Sequence, residues 1–170
     1  MARLRSVDRS SGIRDELALG IVDWNHDAIM HRSLAREKSD AEFLCRFNED
    51  RRPYPAISLT ANGEFMTAVC NDYGADEIFA RQVQGLGEKG DVLIAFTTSG
   101  KSKNVLRALE EAKRKKIESI CFLGRDGGFT KGIATIDLIV QGNSTARIQE
   151  GHKLLMHVLC ETVDEKLPRK

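Results

Sequence analysis

Apolar and polar residues fall in alternating blocks along this chain, and the sharpest block is Val92-Leu93-Ile94-Ala95-Phe96, set between Gly90-Asp91 and a Gly-containing turn. An uninterrupted apolar run of strand length suits a central parallel strand buried on both faces. Downstream, Val105, Leu109, Ala112 and Lys116 recur at helical spacing. Leu106 widens the apolar stripe, and Glu110, Lys113 and Arg114 occupy the other side. Residues 119–123 and 137–140 predict two further buried strands, ending in the polar groups Gly124-Arg125-Asp126-Gly127-Gly128 and Asn143-Ser144-Thr145. Residues 146–166 predict a long helix with Ile148, Leu155, Leu159, Val163 and Leu167 inward or at an interface. Strands and helices at these intervals make an α/β fold with a parallel sheet and right-handed crossovers.

Upstream the signals are shorter. Residues 56–59 predict a buried strand, and 65–70 a short helix closing on the polar turn Asn71-Asp72-Tyr73-Gly74, with Gly74 as C-cap. A second helix is predicted over 77–86, with Ile78, Phe79, Val83 and Leu86 inward. Residues 41–47 predict a helix whose apolar side carries Phe43, Leu44 and Phe47, with Glu42 beside that side. Arg51-Arg52-Pro53-Tyr54-Pro55 must be extended, because each proline disfavours helix in the residue before it. In the first forty residues, Ile13, Leu17, Ile21, Trp24 and Ala28 follow helical spacing and predict an amphipathic helix over 13–30; 31–40 is polar, with no strand. The chain divides into an atypical N-terminal segment, 1–40, and a domain, 41–170.

A chain of 170 residues with 41% hydrophobic content builds one domain with a proper core. Its net charge of +1 provides no field to draw it to nucleic acid or an anionic membrane, so neither is expected as a partner. Cys45, Cys70, Cys121 and Cys160 form no C-x-x-C pair, which suits reduced thiols in the cytoplasm rather than disulfides or a zinc knot. No apolar run reaches membrane-spanning length and the start lacks the apolar core of a secretory signal, so a soluble cytoplasmic protein is expected.

Candidate chemistry begins where the central strand stops. Thr97, Thr98, Ser99 and Ser102 surround Gly100 between a strand's carboxyl end and a helix's amino end. Free backbone amides, the positive end of the helix dipole and hydroxyl donors converge there, an arrangement that suits a phosphate. The plainer reading is that Ser99 or Ser102 caps the helix. The stretch 95–102 also comes near the nucleotide-binding P-loop pattern, but Ala95 replaces its first glycine and no downstream strand ends in a magnesium-binding carboxylate, so no nucleotide is expected. Glu42 and His157 are acid and base types near apolar residues, where burial shifts proton affinity. A hydrogen-bonded structural histidine and a helix-start glutamate are equally ordinary readings, and Asp72 reads as a turn cap. Gln149, Lys153 and His157 form one ladder along the last helix, with His152 pointing elsewhere. His26 and His31 read as surface residues.

Taken together, Asn71-Asp72-Tyr73-Gly74, Gly90-Asp91-Val92-Leu93, Thr98-Ser99-Gly100-x-Ser102, Gly124-x-Asp126-Gly127-Gly128 and Arg147-Ile148-Gln149-Glu150-x-His152, with His157 beyond, resemble bacterial phosphoheptose isomerases of the sugar isomerase (SIS) fold. The resemblance runs from about Ala41 to Leu167. It implies a flanked parallel-sheet sandwich and conversion of D-sedoheptulose 7-phosphate to D-glycero-D-manno-heptose 7-phosphate, which feeds heptose synthesis for lipopolysaccharide. It further implies a homotetramer with sites at subunit interfaces. Thr97, Thr98, Ser99 and Ser102 would hold the phosphate, with Asp72 orienting sugar hydroxyls. Glu42 would shuttle the proton between C1 and C2, and His157 would serve the oxygens with Gln149 nearby. Some family members bind zinc at this site, which would place Glu42, Gln149 and His157 among its ligands. The family also has a strand and a Gly-Asn-Gly-Gly-Ser loop before the Glu helix, and a His four residues ahead of that Glu. Here that position is Lys38, no such loop occurs in residues 1–40, and Lys101 replaces an Asn. Two origins are open for the first forty residues: natural divergence, or a segment read in a shifted frame or joined from elsewhere. Two functions follow: an isomerase impaired by the missing loop, or a non-catalytic SIS-fold module that binds phosphosugars or protein partners.

Overall fold

A computed structural model of the chain describes residues 19–23 and 42–166. Five parallel strands form one sheet: β1 (Leu19–Asp23), β2 (Ala56–Ser58), β3 (Val92–Thr97), β4 (Glu118–Gly124) and β5 (Ile136–Val140), in the order β2-β1-β3-β4-β5. The helices are α1 (Gly63–Asp72), α2 (Ala80–Leu86), α3 (Lys103–Lys115) and α4 (Thr145–Lys166), with single 3₁₀ turns at Ala75–Glu77 and Gly128–Thr130. Residues 42–44 are also helical, and the helix predicted over 41–47 has ended before Phe47.

β3 is buried on both faces, and its alternation divides the core. Leu93 and Ala95 join Val105, Ala108, Leu109 and Ala112 of α3, together with Ile78, Phe79 and Val83. Ile94 faces the other way and joins Phe43, Tyr54, Phe122, Met156 and Cys160. The sheet is thus the middle layer between α1, α2 and α3 on one side and α4 with the 42–54 segment on the other. α3 ends at Lys116, whose left-handed backbone (φ 60°) returns its amide to Ala112 and Lys113, and Lys113, Arg114 and Lys115 complement the negative end of the dipole.

Three expectations change. The helix predicted over 13–30 contains β1, which pairs in parallel with β2 on one side and β3 on the other. Gly20 and the β-branched pair Ile21-Val22 are poor helix formers, and hydrogen bonding on both strand edges outweighs the apolar spacing. The rest of that helix lies outside the described residues, as do Lys38, His26 and His31. The helix predicted over 77–86 is broken into a 3₁₀ turn and α2, which leaves Leu86 59% exposed rather than inward. On α4 the buried stripe is Ile148, His152, Met156 and Cys160, with Leu155, Leu159 and Val163 packed at its margin. Leu167 lies outside the described residues.

Candidate active site

The strand order reverses between β1 and β3, so the carboxyl ends of those two strands bound the crevice where doubly wound sheets bind ligands. The hydroxyl loop occupies that position, running from the end of β3 to the start of α3. Ser102 is the N-cap residue of α3, yet its side chain makes no capping bond; its Oγ meets Thr97 Oγ1 at 3.1 Å instead. Simple capping by Ser102 is therefore not its role here. No acidic residue lies in the first turn of α3, so the positive end of the dipole is not neutralised from within. Lys101 and Lys103, both exposed, add positive charge.

The structure separates the four hydroxyls. Thr98, Ser99 and Ser102 are half-buried, with Ser99 Oγ accepting from the Lys101 amide at 3.1 Å. Thr97 is 1% exposed, and its Oγ1 accepts from the Gly100 amide at 3.1 Å while contacting Ser102. The expectation that Thr97 holds phosphate is corrected: its side chain follows Leu93 and Ala95 into the α3 side of the sheet and supports the loop from beneath.

A second turn locks the loop from outside. Gly100 has a left-handed backbone (φ 63°), and a Cβ there would collide with the Gly127 carbonyl; one on Gly128 (φ 53°) would collide with the Gly100 carbonyl. That carbonyl accepts from both the amide (3.1 Å) and the hydroxyl (2.8 Å) of Thr130, which is fully buried. Gly124 backs onto the Thr98 carbonyl with no room for a Cβ, and Ile148 of α4 covers it. These contacts fix which way the loop amides point. Thr130 belongs to no motif, and nothing in the sequence pattern marks it.

Glu42 and His157 lie on neighbouring elements of one chain, the 42–44 turn and α4. The 42–44 helical turn ends against α4, near enough that the Glu42 charge, after burial, helps push the Cys160 thiol up to about 12. His157, half-buried, lies one turn before Cys160, and Phe47 packs on its ring at 5.5 Å between centroids. Gln149, also half-buried, lies on the same side of α4 and next to Ile148, at the end of the helix that covers Gly124. Among the described residues, His152 is the deeply buried histidine. Its Nε2–H donates to the Leu123 carbonyl at 2.9 Å, and burial lowers its proton affinity against the smaller opposing effect of that bond.

Asp72 is carried by a different element, α1. It is exposed in the last turn of α1, and among the described residues no hydrogen bond or ion pair joins it to the hydroxyl loop. An acid at the negative end of a helix is electrostatically unfavourable, so helix stability does not explain its presence. For zinc, no group of three or more His, Cys, Asp or Glu side chains converges among the described residues. The expected set holds only two side chains of those types, Glu42 and His157, with Gln149 an amide, and no chemical step is derived through a metal.

A braced loop of hydroxyls and amides at the switch point of a parallel sheet, with a carboxylate and an imidazole carried on elements of the opposite layer, defines a doubly wound α/β domain. A family model described as SIS domain matches residues 31–124. The phosphoheptose isomerase of a Nitratiruptor species is 49% identical over 125 residues, covering 74% of this chain and 67% of that protein. That of Helicobacter pylori (strain Shi470) is 45% identical over 130 residues, covering 76% and 68%. The solved structure of a phosphoheptose isomerase from Francisella tularensis superposes with a TM-score of 0.79 at 35% identity, covering 89% of this chain and 78% of that one. The chain belongs to the SIS-domain family, among the phosphoheptose isomerases. It spans about two thirds of the length of the curated relatives it matches. Among the described residues no helix is long and apolar enough to cross a membrane.

Proposed function

We propose that the chain isomerises D-sedoheptulose 7-phosphate to D-glycero-D-manno-heptose 7-phosphate. The observation that carries this reading is the braced hydroxyl loop at the switch point of a fold shared with phosphoheptose isomerases. Thr98, Ser99, Ser102 and the first amides of α3 hold the phosphate, far from the reacting carbons, so that its binding energy fixes C1 and C2 in place. Glu42 takes the proton from C1 and returns it to C2. His157 donates a proton to the C2 carbonyl oxygen and accepts one from the C1 hydroxyl, so the enediol forms and collapses with no net proton change. Gln149 orients the oxygens, and Asp72 orients the sugar hydroxyls.

A homotetramer is proposed. It is supported by large apolar side chains exposed at Leu44, Leu154 and Val158, on the same elements that carry Glu42 and His157. Zinc at Glu42, Gln149 and His157 is proposed only with donors from beyond the described residues or from a second copy. The product would supply heptose for cell-envelope lipopolysaccharide in the cytoplasm.

One observation favours a second reading, a non-catalytic phosphosugar-binding or protein-interaction module: residues 24–41, which follow β1, contain no glycine and hence no Gly-Asn-Gly-Gly-Ser loop. Incubation with sedoheptulose 7-phosphate, followed by NMR beside a Glu42→Gln control, separates the two. Turnover that Glu42→Gln abolishes supports the isomerase, whereas saturable phosphosugar binding without turnover supports the module.

A further inference from the structure

We infer that Arg51, held by Asp164, is a positioning residue of this reaction, a buried guanidinium that ties the Glu42 turn to the helix carrying His157. The inference rests on the isomerase reading given above. The Arg51 side chain is 2% exposed. Its Nε donates to Asp164 Oδ1 at 2.6 Å, and Nη1 donates to the carbonyls of Phe43 (2.8 Å) and Arg52 (3.1 Å). Nη2 donates to the carbonyl of Glu42 itself. The flat face of the guanidinium lies over the Tyr54 ring, 4.1 Å from its centroid, and the Tyr54 amide also binds the Phe43 carbonyl at 3.0 Å.

One side chain thus satisfies carbonyls at the end of the Glu42 turn, which has no further helix to accept from, while its charge is met on α4. Asp164 lies seven residues beyond His157, two turns along the same side. Cys160 sits between them, with Glu42, Asp164 and Arg51 all acting on its thiol. The planar fork is essential: a lysine ammonium could not reach the carboxylate and two successive carbonyls at fixed angles. The carbon-directed base and the oxygen-directed acid are therefore held at a set separation by a contact that touches no substrate.

The test compares Arg51→Lys, Arg51→Met and Asp164→Asn with wild type for kcat and KM on sedoheptulose 7-phosphate. Inorganic phosphate binding and amide hydrogen exchange are measured on the same proteins. The expected result is a fall in kcat of roughly 100-fold for Arg51→Lys, a smaller fall for Asp164→Asn, and KM and phosphate affinity within about two-fold of wild type. Unchanged kcat in folded Arg51→Lys and Asp164→Asn overturns the inference. So does a loss of kcat, phosphate binding and amide protection across the sheet together in Asp164→Asn, which would mark a general structural role. If wild type shows no turnover, the isomerase reading falls on its own and the clamp is judged by exchange: faster exchange confined to 42–47 in the variants supports it, and unchanged exchange overturns it.

Discussion

Two hydroxyls five residues apart, Thr97 and Ser102, touch each other and should nonetheless behave in opposite ways when removed. Thr97→Val keeps the shape but leaves the buried Gly100 amide without its 3.1 Å acceptor. An unsatisfied buried donor costs about 1–3 kcal/mol. For a chain of this size that corresponds to a fall in Tm of roughly 2–4 °C per kcal/mol, so a drop of about 2–12 °C is expected. Ser102 is half-buried, makes no cap bond and shares one 3.1 Å contact with Thr97, so Ser102→Ala should move Tm by less than about 2 °C. Removing a hydrogen bond to a charged phosphate costs about 1.5–3 kcal/mol, which is roughly 10- to 150-fold in affinity. Thermal melting and calorimetric titration with sedoheptulose 7-phosphate on both variants read the two quantities separately. If Thr97→Val melts like wild type, or Ser102→Ala binds the sugar phosphate as wild type does, the division into a supporting and a binding hydroxyl is wrong.

Other consequences can be checked alongside. Glu42→Gln and His157→Asn should each lower kcat by about 10²–10⁴-fold with little change in KM, since neither touches the phosphate loop; steady-state kinetics reads this. Thr130→Val removes the buried 2.8 Å bond to the Gly100 carbonyl and should weaken inorganic phosphate binding without itself lining the site, as a 31P titration would show. Burial lowers the proton affinity of His152 below its usual 6.5, so the unfolded chain binds more protons between the two values and stability should rise with pH through that window. Urea midpoints should show that slope in wild type and a shallower one in His152→Phe. The Cys121 and Cys160 thiols are both raised to about 12, chiefly by burial, while Cys45 and Cys70 are exposed. A thiol reagent at mild alkaline pH should therefore label only the latter two until the protein is denatured.

The central strands and the long helices were legible because each carries an apolar pattern of the right period and length, as with Val92-Leu93-Ile94-Ala95-Phe96 followed by Val105, Leu109 and Ala112. The helix predicted over 13–30 failed at β1 because apolar residues spaced three or four apart also occur by chance, whereas strand pairing on both edges is a tertiary effect that spacing does not record. Thr97 could have been set apart from its neighbours: strand alternation sends residues 93, 95 and 97 to one face, the one that packs against α3. The stripe Ile148, His152, Met156, Cys160 was equally readable at four-residue spacing, and a histidine in it signals a buried hydrogen bond rather than a ladder on the surface. Arg51 gave no such signal. Next to Arg52 and two prolines it reads as a solvated extended segment, and only the distant Asp164 shows what it binds.

Proton transfer at a carbon of a phosphate-anchored sugar is the chemistry on which every residue role above depends. Sedoheptulose 7-phosphate incubated with the chain in deuterated water, and followed by proton and carbon NMR, should give an aldoheptose phosphate, with deuterium at C2 in the fraction of turnovers where the proton on Glu42 exchanges with solvent before its return, and none formed by Glu42→Gln. Ketose recovered unchanged and unlabelled from wild type would contradict it.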